Sequence, residues 1–170
     1  LGRVHALWTL EGLGKTDHTL LKEALKDPMA GIRENAIQLI ELHLENQPDL
    51  LGELLALGNE PNPRVRFQLL FTLGEVKGLP AQTLREQLLL QDLESEWVHL
   101  ATLSAEPGNE LTLFEWAKSN LGQKLDQGGA AFISNLSALI GRKDKTEEIN
   151  ALLAQCRTLP KELKVATLSG

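Results

Sequence analysis

The chain has 170 residues, long enough for one domain or two small ones with a sizeable core. Aromatic residues make up only 4% of it and Tyr is absent, so the core must come from Leu, Ala, Ile and Val, which favours helix on helix over a β-sandwich. Seventeen Lys and Arg against 23 Asp and Glu give a net charge of -6, the wrong sign for a surface that tracks nucleic-acid phosphates.

Apolar spacing of three and four residues recurs along the chain and predicts about ten helices. The stripes are Leu20, Leu21, Ala24 and Leu25; then Ile32, Ala36, Ile37 and Ile40; then Leu50, Leu51, Leu54 and Leu55; then Val65, Leu69, Leu70 and Leu73. Leu84 and Leu88 follow, then Trp97 and Ala101, Leu111 and Phe114, Phe132 to Ile140, and Ile149 to Leu153. Breakers separate them: Gly12 and Gly14, Asp27-Pro28, Gln47-Pro48, Pro61 to Pro63, Gly78 and Pro80, Pro107-Gly108, and Gly128-Gly129. Thr16 or Asp17, Asn109 and Asp144 are placed as N-caps, the last with Glu147 as a capping box. Arg142, Lys143 and Lys145 read as a solvated turn, and lone Cys156 as a small core residue.

The helices repeat as a unit. Asp27-Pro28-Met29-Ala30-Gly31-Ile32-Arg33 matches Glu60-Pro61-Asn62-Pro63-Arg64-Val65-Arg66 after 33 residues, and Asp92 to Val98 matches after another 32. A pair of helices this short cannot bury both its faces, so stability requires stacking. The expected fold is all-α, a right-handed α-α superhelix forming one helical-repeat domain over residues 1–170, in a piece of a larger multidomain protein.

The turn Asp27 to Ala36, Asp-Pro-x-x-x-Ile-Arg-x-x-Ala, resembles the HEAT repeat. That resemblance implies that Asp27, Arg33 and Arg66 are structural, forming a buried ladder between repeats. Glu60 in the acidic place and Val98 in the Arg place put the ladder in doubt at the third repeat. More narrowly, Arg3 to Gly14, Trp97-Val98 and Phe132 to Asp144 look like the HEAT region of large exported bacterial proteins. Those proteins pair a sugar-dehydrogenase-like propeller with a C-terminal c-type cytochrome domain. The resemblance implies a periplasmic or membrane-attached parent and neighbouring domains of the same chain as partners.

Chemistry is sparse. Gly14-Lys15-Thr16 ends like a phosphate-binding loop, but Thr9 stands where the first glycine is needed. His5, His18, His43 and His99 lack metal-ligand spacing, and no Cys-x-x-Cys-His haem attachment occurs. Neither cofactor, metal nor catalytic residue is expected, and the histidines read as surface or groove residues.

Aligning the second helices on Ala6, Ala36, Leu69 and Ala101 puts Val4, Glu34, Phe67 and His99 in one column and Trp8, Gln38, Phe71 and Leu103 in another. Four residues apart, the columns share a helix face. They predict a partly apolar groove of Trp8, Phe67, Phe71 and Leu103, edged by Glu34, Gln38, Gln68 and His99. The function expected is non-catalytic: a scaffold or protein-docking module without nucleic-acid binding or membrane insertion. The rival is an enzyme resembling HEAT-like DNA glycosylases, which the charge opposes.

Overall fold

The computed structural model describes residues 2–105, 107–122 and 125–170. Among the described residues there are eleven α-helices and no strand, so the protein is all-α. None of these helices is long and apolar enough to cross a membrane. The helices fall into two compact units, Leu1–Gln91 and Asp92–Gly170.

The first unit holds α1 (Gly2–Gly12), α2 (His18–Ala24), α3 (Ala30–His43), α4 (Leu50–Leu55), α5 (Pro63–Gly74) and α6 (Leu79–Gln91). Alternate helices form two rows: α1, α3 and α5 pack in one, and α2, α4 and α6 in the other. Leu21, Ile37, Leu39, Ile40, Leu50, Leu54, Leu69, Leu70 and Leu73 close the space between the rows, all essentially without solvent contact. Each such side chain contributes about 1.5–3 kcal/mol, enough to hold helices too short to stand alone. Local chemistry sets the ends. The Asp17 carboxylate accepts from the Leu20 amide at 2.8 Å to start α2. Asn62 caps α5, accepting from Arg64 N–H at 3.0 Å, with Pro63 at the first helical position. Gly78 turns the chain after α5 at φ 111°, a left-handed conformation that other residues resist.

A charged ladder ties successive turns of this unit together. Arg33 forks onto Glu60, with Nε to Oε2 at 2.8 Å and Nη2 to Oε1 at 2.6 Å, while its Nη1 donates to the Asp27 carbonyl at 2.8 Å. Arg66 repeats the second contact, its Nη1 donating to the Glu60 carbonyl at 2.9 Å. Asp27 itself receives Arg3, at 2.5 and 3.0 Å. Each arginine therefore grips its own turn through a carbonyl or the next turn through a carboxylate, and Glu60 fills the acidic place as well as Asp27 does. Arg3 stands three residues before Ala6, as Arg33 stands before Ala36, so the register already pointed to it.

The second unit holds α7 (Glu96–Ser104), α8 (Glu110–Leu121), α9 (Gln127–Arg142), α10 (Thr146–Cys156) and α11 (Lys161–Ser169). The other four pack around α9, which carries the buried stripe Phe132, Ile133, Leu136 and Ile140. Three sequence expectations need correction here. Gly128 and Gly129 do not break a helix but form the buried first turn of α9, because a Cβ on Gly128 would lie 2.6 Å from the Leu93 carbonyl oxygen. Asp144 does not cap α10; it turns left-handed at φ 51° and Lys145 takes the cap position. Lys143 is no solvated turn residue: it pairs with the Glu110 carboxylate, which is only 6% exposed. Cys156 is buried as expected.

Candidate docking surface

The helices α1, α3 and α5 run parallel, since their side-chain contacts advance together along the chain. Trp8 Nε1 donates to Asn35 Oδ1 at 2.7 Å, and His43 Nε2 meets Glu11 Oε2 at 2.9 Å. Between α3 and α5, Arg64 donates to Glu34 at 3.2 Å and Gln38 to Gln68 at 3.0 Å. Gln68 passes the chain to Thr72 at 3.1 Å, whose hydroxyl donates to Glu41 at 2.5 Å. Glu34 and Gln38 thus spend their polar groups on neighbouring helices. The His43 imidazole holds the Glu11 carboxyl below its ordinary range, against the opposing pull of burial.

Over this polar seam the aromatics remain outside. Trp8 is 39% exposed and Phe71 is 51% exposed, while Phe67 is half-buried. Sequence columns therefore locate Trp8, Glu34, Gln38, Phe67 and Phe71 on three packed helices. Leu42, which the columns did not include, adds an exposed side chain to α3. A cavity of about 610 Å³ lies at the N-terminal ends of the three helices, with Arg3, His5, Asn35, Asn62 and Arg64 in its lining.

His99 departs from expectation. It is buried at 1% exposure, Nε2 donating to the Leu93 carbonyl at 2.7 Å, with its ring edge-to-face on Phe132 at 5.3 Å. It edges no groove. The reason is the register. The caps Met29, Asn62 and Ser95 are spaced by 33 residues twice over, and Arg33, Arg66 and His99 each donate to a carbonyl six residues back. His99 therefore occupies the arginine place, Val98 joins Ile32 and Val65 as a buried residue, and a 32-residue spacing is one short. On the corrected register Leu100, 59% exposed, is the residue matching Glu34 and Phe67. Leu103, half-buried on α7, belongs to the second unit.

Among the described residues, no three or more His, Cys, Asp or Glu converge as a metal site. Comparison with family models, curated proteins and solved structures yields no match.

Proposed function

We propose that this chain is a non-catalytic helical-repeat scaffold, which docks protein through the outer face of α1, α3 and α5. The observation that carries the reading is the pair Trp8 and Phe71. Both keep more than a third of their surface in water, although the polar groups beneath them are already satisfied by neighbouring helices. Rigid aromatics held open on a packed support lose little entropy on contact, which is what a docking surface requires. The resemblance to HEAT repeats supports the same reading. Its narrower form makes the partners adjoining propeller and cytochrome domains of one exported polypeptide, with this region between them.

Trp8→Ala and Phe71→Ala test the proposal. Each should weaken binding to those adjoining domains by roughly tenfold. Phe71→Ala should leave the melting temperature nearly unchanged, and Trp8→Ala should lower it by no more than the loss of the Asn35 hydrogen bond and partial packing requires. Unchanged binding, or a large loss of thermal stability from both changes, would mean that the aromatics are packing residues and would overturn the reading.

A further inference from the structure

We infer that the occupant of the Trp8 and Phe71 face is a cationic protein segment, one carrying apolar side chains among Lys or Arg. The inference rests on the docking reading above and adds the chemistry of the partner.

The direction of the helices fixes which of their ends lie together. Because α1, α3 and α5 are parallel, their backbone dipoles add, and all three negative ends meet at one rim. Residues 11–17, 41–49 and 75–78, which finish these helices and leave them, carry the six carboxylates Glu11, Asp17, Glu41, Glu45, Asp49 and Glu75 against the two lysines Lys15 and Lys77. Part of the acid at that rim serves the fold, since α2 starts there with Asp17 as its cap, and Glu11 and Glu41 are engaged by His43 and Thr72. Neither α1 nor α5 has a basic residue in its last turn, and α3 has only His43, already engaged by Glu11. At the opposite rim, residues 2–5, 26–33 and 59–66 hold five Lys and Arg against two carboxylates.

Two exposed carboxylates, Glu45 and Glu75, follow the exposed apolar residues Leu42 and Phe71 within about one helical turn of chain. In the 33-residue register Phe71 stands level with Gln38, and Glu75 level with Leu42, which is 59% exposed. Glu75, the C-cap of α5, stands one helical turn after Phe71. Glu45 and Glu75 are both exposed. A partner that covers Phe71 and Leu42 therefore places its flanking charges against Glu45 and Glu75. An anionic segment is repelled there by Glu45 and Glu75, and a second copy of this chain, at net charge -6, is repelled at long range even though its basic rim is locally complementary.

The test uses the full 170-residue chain and three fluorescein-labelled peptides of equal length, which share the same leucines and are otherwise filled with Lys, Glu or Ser. Fluorescence anisotropy should show binding of the Lys peptide, weakening as ionic strength rises from about 10 mM to about 0.15 M. Glu45→Gln with Glu75→Gln, and separately Phe71→Ser, should each weaken it roughly tenfold at unchanged melting temperature. Equal binding of the Ser or Glu peptide, lost with Phe71→Ser, would overturn the cationic assignment and leave the docking reading standing. Lys-peptide binding indifferent to Phe71→Ser, or no binding of any peptide, would also overturn it. A concentration-dependent mass in sedimentation, abolished by Phe71→Ser, would make a second copy the occupant instead.

Discussion

The Arg33 and Glu60 pair should behave unlike the Arg3 and Asp27 pair, although both belong to the same ladder. Side-chain exposure is 13% and 3% for the former, and 57% and 13% for the latter. Glu60→Gln removes the charge but keeps the shape, stranding a guanidinium whose remaining donor is fixed on the Asp27 carbonyl. Removing one member of a deeply buried pair costs about 3–5 kcal/mol; the residual exposure of Arg33 lets water recover part of that, so about 2–3 kcal/mol is expected. Arg3→Gln should cost about 0–1 kcal/mol. Burial pulls the Glu60 carboxyl upward, but the Arg33 fork and the Asn62 N–H outweigh it and hold the group below its ordinary value. A carboxyl lowered in the fold contributes fully above its unfolded value of about 4.3, and that contribution is lost as pH falls through the lower folded value. Urea unfolding across pH should therefore show the gap between wild type and Glu60→Gln open at pH 7 and closing on acidification below about pH 4.3. A gap under about 0.5 kcal/mol at pH 7, or one that ignores acid, would refute the account.

Three substitutions and one titration bear on the same physics. Leu69→Ala should cost about 2–5 kcal/mol in denaturant unfolding, because the side chain is fully buried; Phe71→Ala, two residues on but half in water, should cost under about 1 kcal/mol. Gly128→Ala should destabilise the second unit by about 1–3 kcal/mol by the same measurement, since the new methyl meets the backbone oxygen of Leu93 rather than a side chain that can swing aside. A mobility-shift titration with duplex DNA at low salt should show no retardation, whereas the glycosylase rival requires a shift that fades as salt rises.

Much of the architecture was legible because it depends on apolar spacing, which local sequence displays. The stripe Ile32, Ala36, Ile37 and Ile40 is buried in α3, and Val65, Leu69, Leu70 and Leu73 are buried in α5. What escaped depends on contacts between residues distant in sequence. Gly128 looks like a breaker until Leu93 is seen against it, and Lys143 looks solvated until Glu110 reaches it. The outer face was half legible. Spacing put Trp8 and Phe71 on it, but could not show that Glu34 and Gln38 turn sideways to Arg64 and Gln68.

The register of the third turn offers the sharpest discrimination, because a shift of one residue exchanges an inside position for an outside one. With a 32-residue spacing His99 aligns with Glu34 and Phe67 on the outer face; with 33 it aligns with Arg33 and Arg66, facing a carbonyl. His99→Ala removes the donor to Leu93, leaving a carbonyl short of its partner at about 1–3 kcal/mol, and loses the edge contact with Phe132 at about 0.5–1.5 kcal/mol more. A total near 3 kcal/mol is expected in chemical denaturation. Trp97→Ala deletes a larger side chain that is 70% exposed, and should cost under about 0.5 kcal/mol. If the tryptophan proved the costlier deletion, His99 would be an outward residue, and the succession of Met29, Asn62 and Ser95 as equivalent caps would lose its physical basis.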